Sequence, residues 1–246
     1  MKKLLLYFIC ALLSLSIAGC GSSSSGDDAG SSLSLNSAAE YAGMTASLAQ
    51  GMVPLGLGFS ANVPSKLVPN MSYTYNNATG YWRYENNIDN AGTLFDTDIY
   101  VGIWATGASA PSRNEVPVDK LTMYGSYIFS SEVTDNEFRY EMTLGSEAAP
   151  LTWVGIASNA VNYSGTMEVE ITVDGETAVL AYSFEDLDIN TLASNYPTGT
   201  MTMSISVDGN TVFTGTVTFD GTTTAAMDLD GNNYTIDLTT GDVTAV

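Results

Sequence analysis

The sequence predicts a mostly β protein, an antiparallel meander forming a barrel or a strongly curved half-barrel, with one N-terminal α-helix packed on it. Helical periodicity occurs only between Asn36 and Met52. β-prone segments parted by turn residues fill most of the chain after Pro69, and in the last third apolar residues alternate at a period of two through successive hairpins.

Ahead of the domain, Lys2 and Lys3 precede an apolar run from Leu4 to Leu15, shorter than the roughly 20 residues a membrane span needs. Residues 1–19 therefore read as a secretory signal peptide that stands outside the fold. Residues 20–35 read as a lipidated cysteine and a flexible tether, because Gly21 to Ser34 is almost all Ser, Gly and Asp and buries too little to offset the entropy of ordering. Residues 36–246 then form a single antiparallel β domain with its N-terminal helix.

Ile17, Ala18 and Gly19 before Cys20 resemble the lipobox of bacterial lipoproteins. The resemblance implies that Cys20 is diacylated, carries palmitate-type chains and becomes the first residue of the mature protein. With Gly21 in place of an aspartate, it also implies the outer membrane, facing the periplasm or the cell surface. Each buried methylene adds about 0.8 kcal/mol, so several chains on one cysteine hold firmly where one holds reversibly. Cys10 leaves with the signal peptide, so no cysteine is left in the domain for a disulfide or a metal.

The net charge is −20, and loss of Lys2 and Lys3 makes the mature chain more acidic by two charges. Such a field repels nucleic acid, which is excluded as a partner. Charged residues make up only 14% of the sequence, however, so the chain is not a disordered acidic tail.

In the helix, Ala38, Tyr41, Ala42, Thr45, Leu48, Ala49 and Met52 fall on one face. Asn36 or Ser37 can cap its start, Gly51 with Pro54 stops it, and Gly43 weakens it by about 1 kcal/mol relative to Ala. A helix this marginal must pack on something. The segments "MSYTYN", "GYWRYEN", "LFDTDIYVGIWA", "KLTMYGSYIFS", "EFRYEMTL" and "LTWVGIA" then read as strands.

"GTMEVEITVDGET" at 165–177 recurs as "GTMTMSISVDGNT" at 199–211, which reads as a duplicated strand and turn within one sheet. Met201, Met203, Ile205 and Val207 share a parity with Phe213, Gly215, Val217 and Phe219, so an odd loop is expected, a three-residue Val207-Asp208-Gly209 turn. Phe219-Asp220-Gly221 repeats that solution and brings in Ala225, Met227 and Leu229. Parity then flips to Tyr234, Ile236 and Leu238, which calls for an even loop at Gly231-Asn232, and Thr240-Gly241 does the same before Val243 and Ala245. The strand from Thr177 to Phe184 is apolar at both parities and is expected to be buried on both faces, with the helix or a partner outside it.

Histidine is absent, and so are a G-x-S-x-G elbow, an S-x-x-K pair, a P-loop and G-x-G-x-x-G. Nothing singles out a pair of carboxylates for glycosidase chemistry. The chain is therefore read as non-catalytic, with no cofactor. Asp186, Asp188 and Asn190 place oxygen atoms at alternate positions, a weak match to a calcium loop that lacks its glycine and its terminal glutamate; "DLDGNN" from Asp228 is accounted for by a turn. Asn-x-Ser/Thr triplets at Asn70, Asn77, Asn162 and Asn233 are expected by chance in an Asn/Thr-rich chain.

Aromatic residues crowd the first strands and methionines recur later. The order of lipobox, tether, helix and antiparallel run resembles periplasmic lipoproteins whose half-open barrel and helical lid carry a lipid. That resemblance implies a non-covalent hydrophobic or amphipathic ligand, with Trp82, Tyr84, Trp104, Met123, Met167, Met201, Met203 and Phe213 as lining candidates. A second function class stays open, an exposed structural or adhesive β domain that meets a protein or glycan partner. Tyr and Trp on the outside, as on "YWRYEN", would favour the second, and the same rings turned inward around a void would favour the first.

Overall fold

The computed structural model describes residues 38–52, 72–90, 92–112, 118–131, 138–173, 175–190, 193–194 and 196–246. The expected signal peptide, Cys20, the tether, the helix caps at Asn36 and Ser37, and Pro54 lie outside them. Helix α1 spans Ala38–Met52. The strands after it are β1 (Ser72–Asn76), β2 (Tyr81–Asn90), β3 (Thr93–Ala105), β4 (Val118–Ser131), β5 (Phe138–Leu144), β6 (Leu151–Val154) and β7 (Ala160–Val173). Next come β8 (Glu176–Asn190), β9 (Thr198–Val207), β10 (Asn210–Asp220), β11 (Thr224–Leu229), β12 (Asn232–Asp237) and β13 (Val243–Ala245).

Each expected β segment forms a strand, and the strands join one antiparallel, strongly curved 13-stranded sheet in chain order. The edge strands β1 and β13 do not pair with each other among the described residues. Hydrogen bonding closes only a local ring of β4, β5, β7 and β6. In that ring β5 and β6 share one lane: β5 pairs with the second half of β4 and β6 with the first, while β7 spans both. One strand has in effect been cut by the segment 145–150. Gly165 opposite the cut has φ 129°, and a Cβ there would sit 2.9 Å from Leu151 Cα, so only glycine lets the two backbones meet.

The inner face collects the alternating apolar residues. A single buried cluster runs from α1 through Tyr84, Val101, Met123, Met142, Trp153 and Val169 to Leu180, Met203, Phe219, Met227 and Ile236. Tyr41, Ala42, Thr45, Leu48 and Ala49 are buried as the helical stripe predicts, and Ala46 widens it. The helix lies on the inner face and not outside β8. Thr45 Oγ1 sits 3.4 Å from the Tyr182 hydroxyl and donates to Met203 Sδ at 3.4 Å, and the Tyr41 ring is centred 5.8 Å from Phe213. On β8 the residues Leu180, Tyr182 and Phe184 are accordingly buried, whereas Val179 and Ala181 on the opposite side are only half-buried.

The duplicated segments occupy β7 and β9, the two neighbours of β8. Met167, Val169 and Ile171 in one copy and Met201, Met203 and Ile205 in the other are all buried.

The hairpin turns differ from expectation in an instructive way. Between β9 and β10 the loop has two residues, Asp208 and Gly209, with φ 48° and 78°, and Val207 pairs with Asn210. Asp-Gly is the preferred sequence for this mirror-image turn, whose twist matches the strands. The parity shift is made by a bulge at Val212, where Thr211 pairs with Ser206 and Phe213 with Ile205. The β10–β11 loop is odd as expected but consists of Gly221, Thr222 and Thr223, stabilised by donation from the Thr222 N–H and hydroxyl to the Asp220 carboxylate. The β11–β12 turn is even, again an Asp-Gly pair, Asp230-Gly231, one residue earlier than expected. The β12–β13 connection is even too, though longer than Thr240-Gly241 alone, since Ile236 pairs with Val243.

Candidate functional site

Register assigns every described strand residue to a face, because directly paired residues point the same way. Seven of the eight expected lining residues lie on the inner face: Tyr84, Met123, Met167, Met201 and Met203 are at most 5% exposed, and Trp82 and Phe213 are half-buried against the core. They are packed by neighbours, with Trp82 centred 5.2 Å from Tyr75 and Phe213 against Tyr41. Trp104 pairs with Lys120 and points the other way.

Asp188 is exposed and its carboxylate accepts from the Asn162 amide at 3.2 Å, while Asn190 Oδ1 accepts from the Ala193 N–H at 3.1 Å. The Asp186 side chain lies outside the described residues. Alternate residues on an extended strand stand about 7 Å apart, and among the described residues no group of three or more His, Cys, Asp or Glu side chains is placed to hold an ion. Asp230 Oδ1 of the "DLDGNN" turn is occupied by the Thr214 N–H and hydroxyl.

The outer face holds an arrangement that residue types alone did not reveal. On β2, β3 and β4, Tyr81, Tyr100, Trp104 and Tyr124 form one half-exposed cluster. Tyr100 and Tyr124, directly paired, stack with centroids 4.8 Å apart and planes 4° from parallel. Tyr81 meets Tyr124 at 5.5 Å and Trp104 at 6.0 Å, both edge to face. Gly102 makes room for Trp104, since a Cβ there would lie 2.5 Å from the indole ring. Burial, and then the charge of Glu147, push the Tyr124 phenol up to about 12.

Two of the chain's few cations border these rings. Lys120 Nζ stands 4.8 Å from the centre of the Trp104 ring. The Arg83 guanidinium lies 5.6 Å from the Tyr100 ring and makes a two-pronged pair with Asp98 at 2.7 and 2.9 Å, with Glu85 at 3.2 Å. That fork holds the Arg83 pKa above its ordinary value, the hydrogen bonds to Asp98 being the main cause.

Beyond the cluster, the 145–150 segment fills the gap between β5 and β6 in the cut lane. It is closed on itself by Ser146 and Ala149, each of whose N–H groups donates to the other's carbonyl, at 3.0 and 3.2 Å. Its first residue, Gly145, borders a groove of about 520 Å³ across β5, β7, β8 and β9. The groove floor is two cross-strand rows on the outer face, Thr143–Glu168–Ala181–Ser204 and Thr166–Ser183–Thr202. The sequence signal for this face was present in the odd positions Tyr81 and Arg83 of β2 and the even positions Tyr100 and Trp104 of β3, but rings at the other parity of β2 masked it. No family model matches this chain, and comparison with curated proteins and with solved structures returns no match.

Proposed function

We propose that the chain is an outer-membrane lipoprotein, tethered through Cys20, whose non-catalytic β domain meets a protein or glycan partner through the outer face of β2–β8. The observation that carries this reading is the half-exposed cluster of Tyr81, Tyr100, Trp104 and Tyr124, bordered by Lys120 and Arg83. Tyr, Trp and Arg are the residues that dominate binding energy at interfaces, because they combine large contact area with a polar handle. Among the described residues, the buried apolar cluster collects on the other face. The carrier reading asks for space on the inner face, whereas the described inner side chains there are packed against one another and against α1.

Metabolic palmitate labelling and protease shaving of intact cells test the anchor and the display. The wild type should label, Cys20→Ala should not, and the domain should be cleaved from the surface. An unlabelled wild type or a fully protected domain refutes the proposal. Native mass spectrometry with organic extraction of the full chain should recover no stoichiometric lipid, and finding one returns the assignment to the carrier.

A further inference from the structure

Part of the outer face lies beyond the reach of the aromatic cluster, and its chemistry names a ligand class. Resting on the reading of that face as the functional one, we infer that the groove across β5, β7, β8 and β9 is a binding site for a neutral oligosaccharide.

Its size comes first. About 520 Å³ of space lies over the hydroxyl rows, with Gly145 at its border, within the range of sites that hold small ligands. The 145–150 segment interrupts a strand lane instead of joining two neighbouring strands. The β9–β10 and β11–β12 hairpins use two-residue turns, yet here a lane of the sheet is cut and its ladder given up for six residues, 145–150, that stand between the groove and Tyr124. Loops that interrupt a regular scaffold are where binding residues concentrate.

The lining chemistry then selects the ligand. Thr143, Thr166, Ser183, Thr202 and Ser204 present hydroxyls that both donate and accept, Met167, Tyr182 and Met203 line the groove between them, and Ala181 keeps the centre of the floor low. Saccharide hydroxyls have the same dual character and need partners of that kind at short intervals. Glu168 is the one charged group among the lining residues, so an anionic ligand is repelled. An extended peptide pairs through its backbone at a sheet edge, whereas the main-chain groups of this floor are already joined in the ladders of β5, β7, β8 and β9.

The test is calorimetric titration of the full-length lipoprotein, held in a polyoxyethylene detergent free of sugar, with maltohexaose, xylohexaose, laminarihexaose and a heparin hexasaccharide. At least one neutral oligosaccharide should saturate at or below about 10 mM and the heparin fragment should not bind. Ala181→Ile with Ser183→Ile fills the floor with β-favouring side chains and should weaken binding at least tenfold. Thr202→Val keeps the shape, removes one hydroxyl, and should weaken it by about threefold to tenfold. Absence of any neutral-sugar binding, or binding that survives both changes, overturns the proposal. If instead Tyr81→Ser or Tyr124→Ser abolishes binding while the groove variants do not, the groove assignment falls and the outer-face reading stands. Unprotected lipid-anchored protein that binds no sugar fails the groove alone, whereas protection from surface protease fails the broader reading.

Discussion

Strands β9–β11 and strands β2–β4 are built by the same antiparallel pairing but divide their side chains differently. In β9–β11 the inner positions are almost all apolar and the outer ones mainly Thr and Ser: Thr200 pairs with Thr218, Thr202 with Thr216 and Ser204 with Thr214, all exposed. In β2–β4 both faces carry rings, Trp82, Tyr84 and Tyr127 inside and Tyr81, Tyr100, Trp104 and Tyr124 outside. The first region has one greasy side, and its outward residues other than Thr202 and Ser204, which reach the groove, solvate it. The second has aromatic surface beyond what a core requires, and the surplus faces the solvent beside cations. Where a sheet places rings on the side its core does not use, those rings are free to meet something else.

The sharpest way to break this comparison is to shift register. Deleting Thr216 moves every later residue of β10 to the other face and should abolish cooperative unfolding, because Val217 and Phe219 would leave the core. Deleting Val212 should be tolerated within about 1 kcal/mol, because it removes only the bulge residue and leaves Thr211 opposite Ser206 and Phe213 opposite Ile205. Urea denaturation monitored by circular dichroism separates the two outcomes.

The next effect compares faces directly. Trp153 is 1% exposed and packs on Tyr163 with ring centres 5.0 Å apart, so Trp153→Ala should cost about 3–5 kcal/mol. Tyr81→Ala, on the half-exposed cluster, should cost less than about 1 kcal/mol. Similar costs would mean that the outer rings serve the fold.

Alkali destabilises the fold through the buried phenols of the inner face. Burial pushes the Tyr182 phenol up to about 12, against a smaller opposing effect of the Thr45 hydrogen bond, and lifts Tyr127, Tyr140 and Tyr163 further. A phenol whose pKa is raised on folding contributes stability in full below its unfolded value, about 10, and loses it as pH rises through the folded value. The melting temperature should therefore stay level to about pH 10 and fall steeply towards about pH 12. A parallel absorbance titration should show these phenols ionising together with unfolding, and gradual titration without loss of fold would contradict their burial.

The smallest effect concerns the helix. A Cβ at Gly43 would meet nothing within 4 Å, so Gly43→Ala should stabilise the protein by up to about 1 kcal/mol, read as an upward shift of the melting temperature.

The legibility of the sequence divides along the same line. From Thr198 onward the side of each strand is legible, since one parity alone is apolar there, and the inward set Met201, Met203, Ile205, Val217, Phe219, Ala225, Met227, Leu229 and Ile236 is buried. The β9–β10 turn departs from expectation because a parity change can be made either in a loop or by a bulge, and the alternation alone does not say which. Asp-Gly chemistry favours the two-residue turn, which leaves the bulge to do it. On β2 through β4 parity is silent. "YWRY" is aromatic at both periods, so residue type alone groups Trp104 with an interior it does not face.

By itself, then, the sequence determined that this is a sheet protein with one helix, which residues of its last five strands face the core, and where the helix is apolar. These are local matters, set by the period of side chains along a strand or a helix turn. Only the tertiary structure decided that α1 lies on the inner face, that β5 and β6 share a lane around a standing loop, and that Tyr81, Tyr100, Trp104 and Tyr124 gather on the outside with Lys120 and Arg83. Each of those depends on which distant strands pair and in what register, and alternation within one strand carries no information about its neighbour.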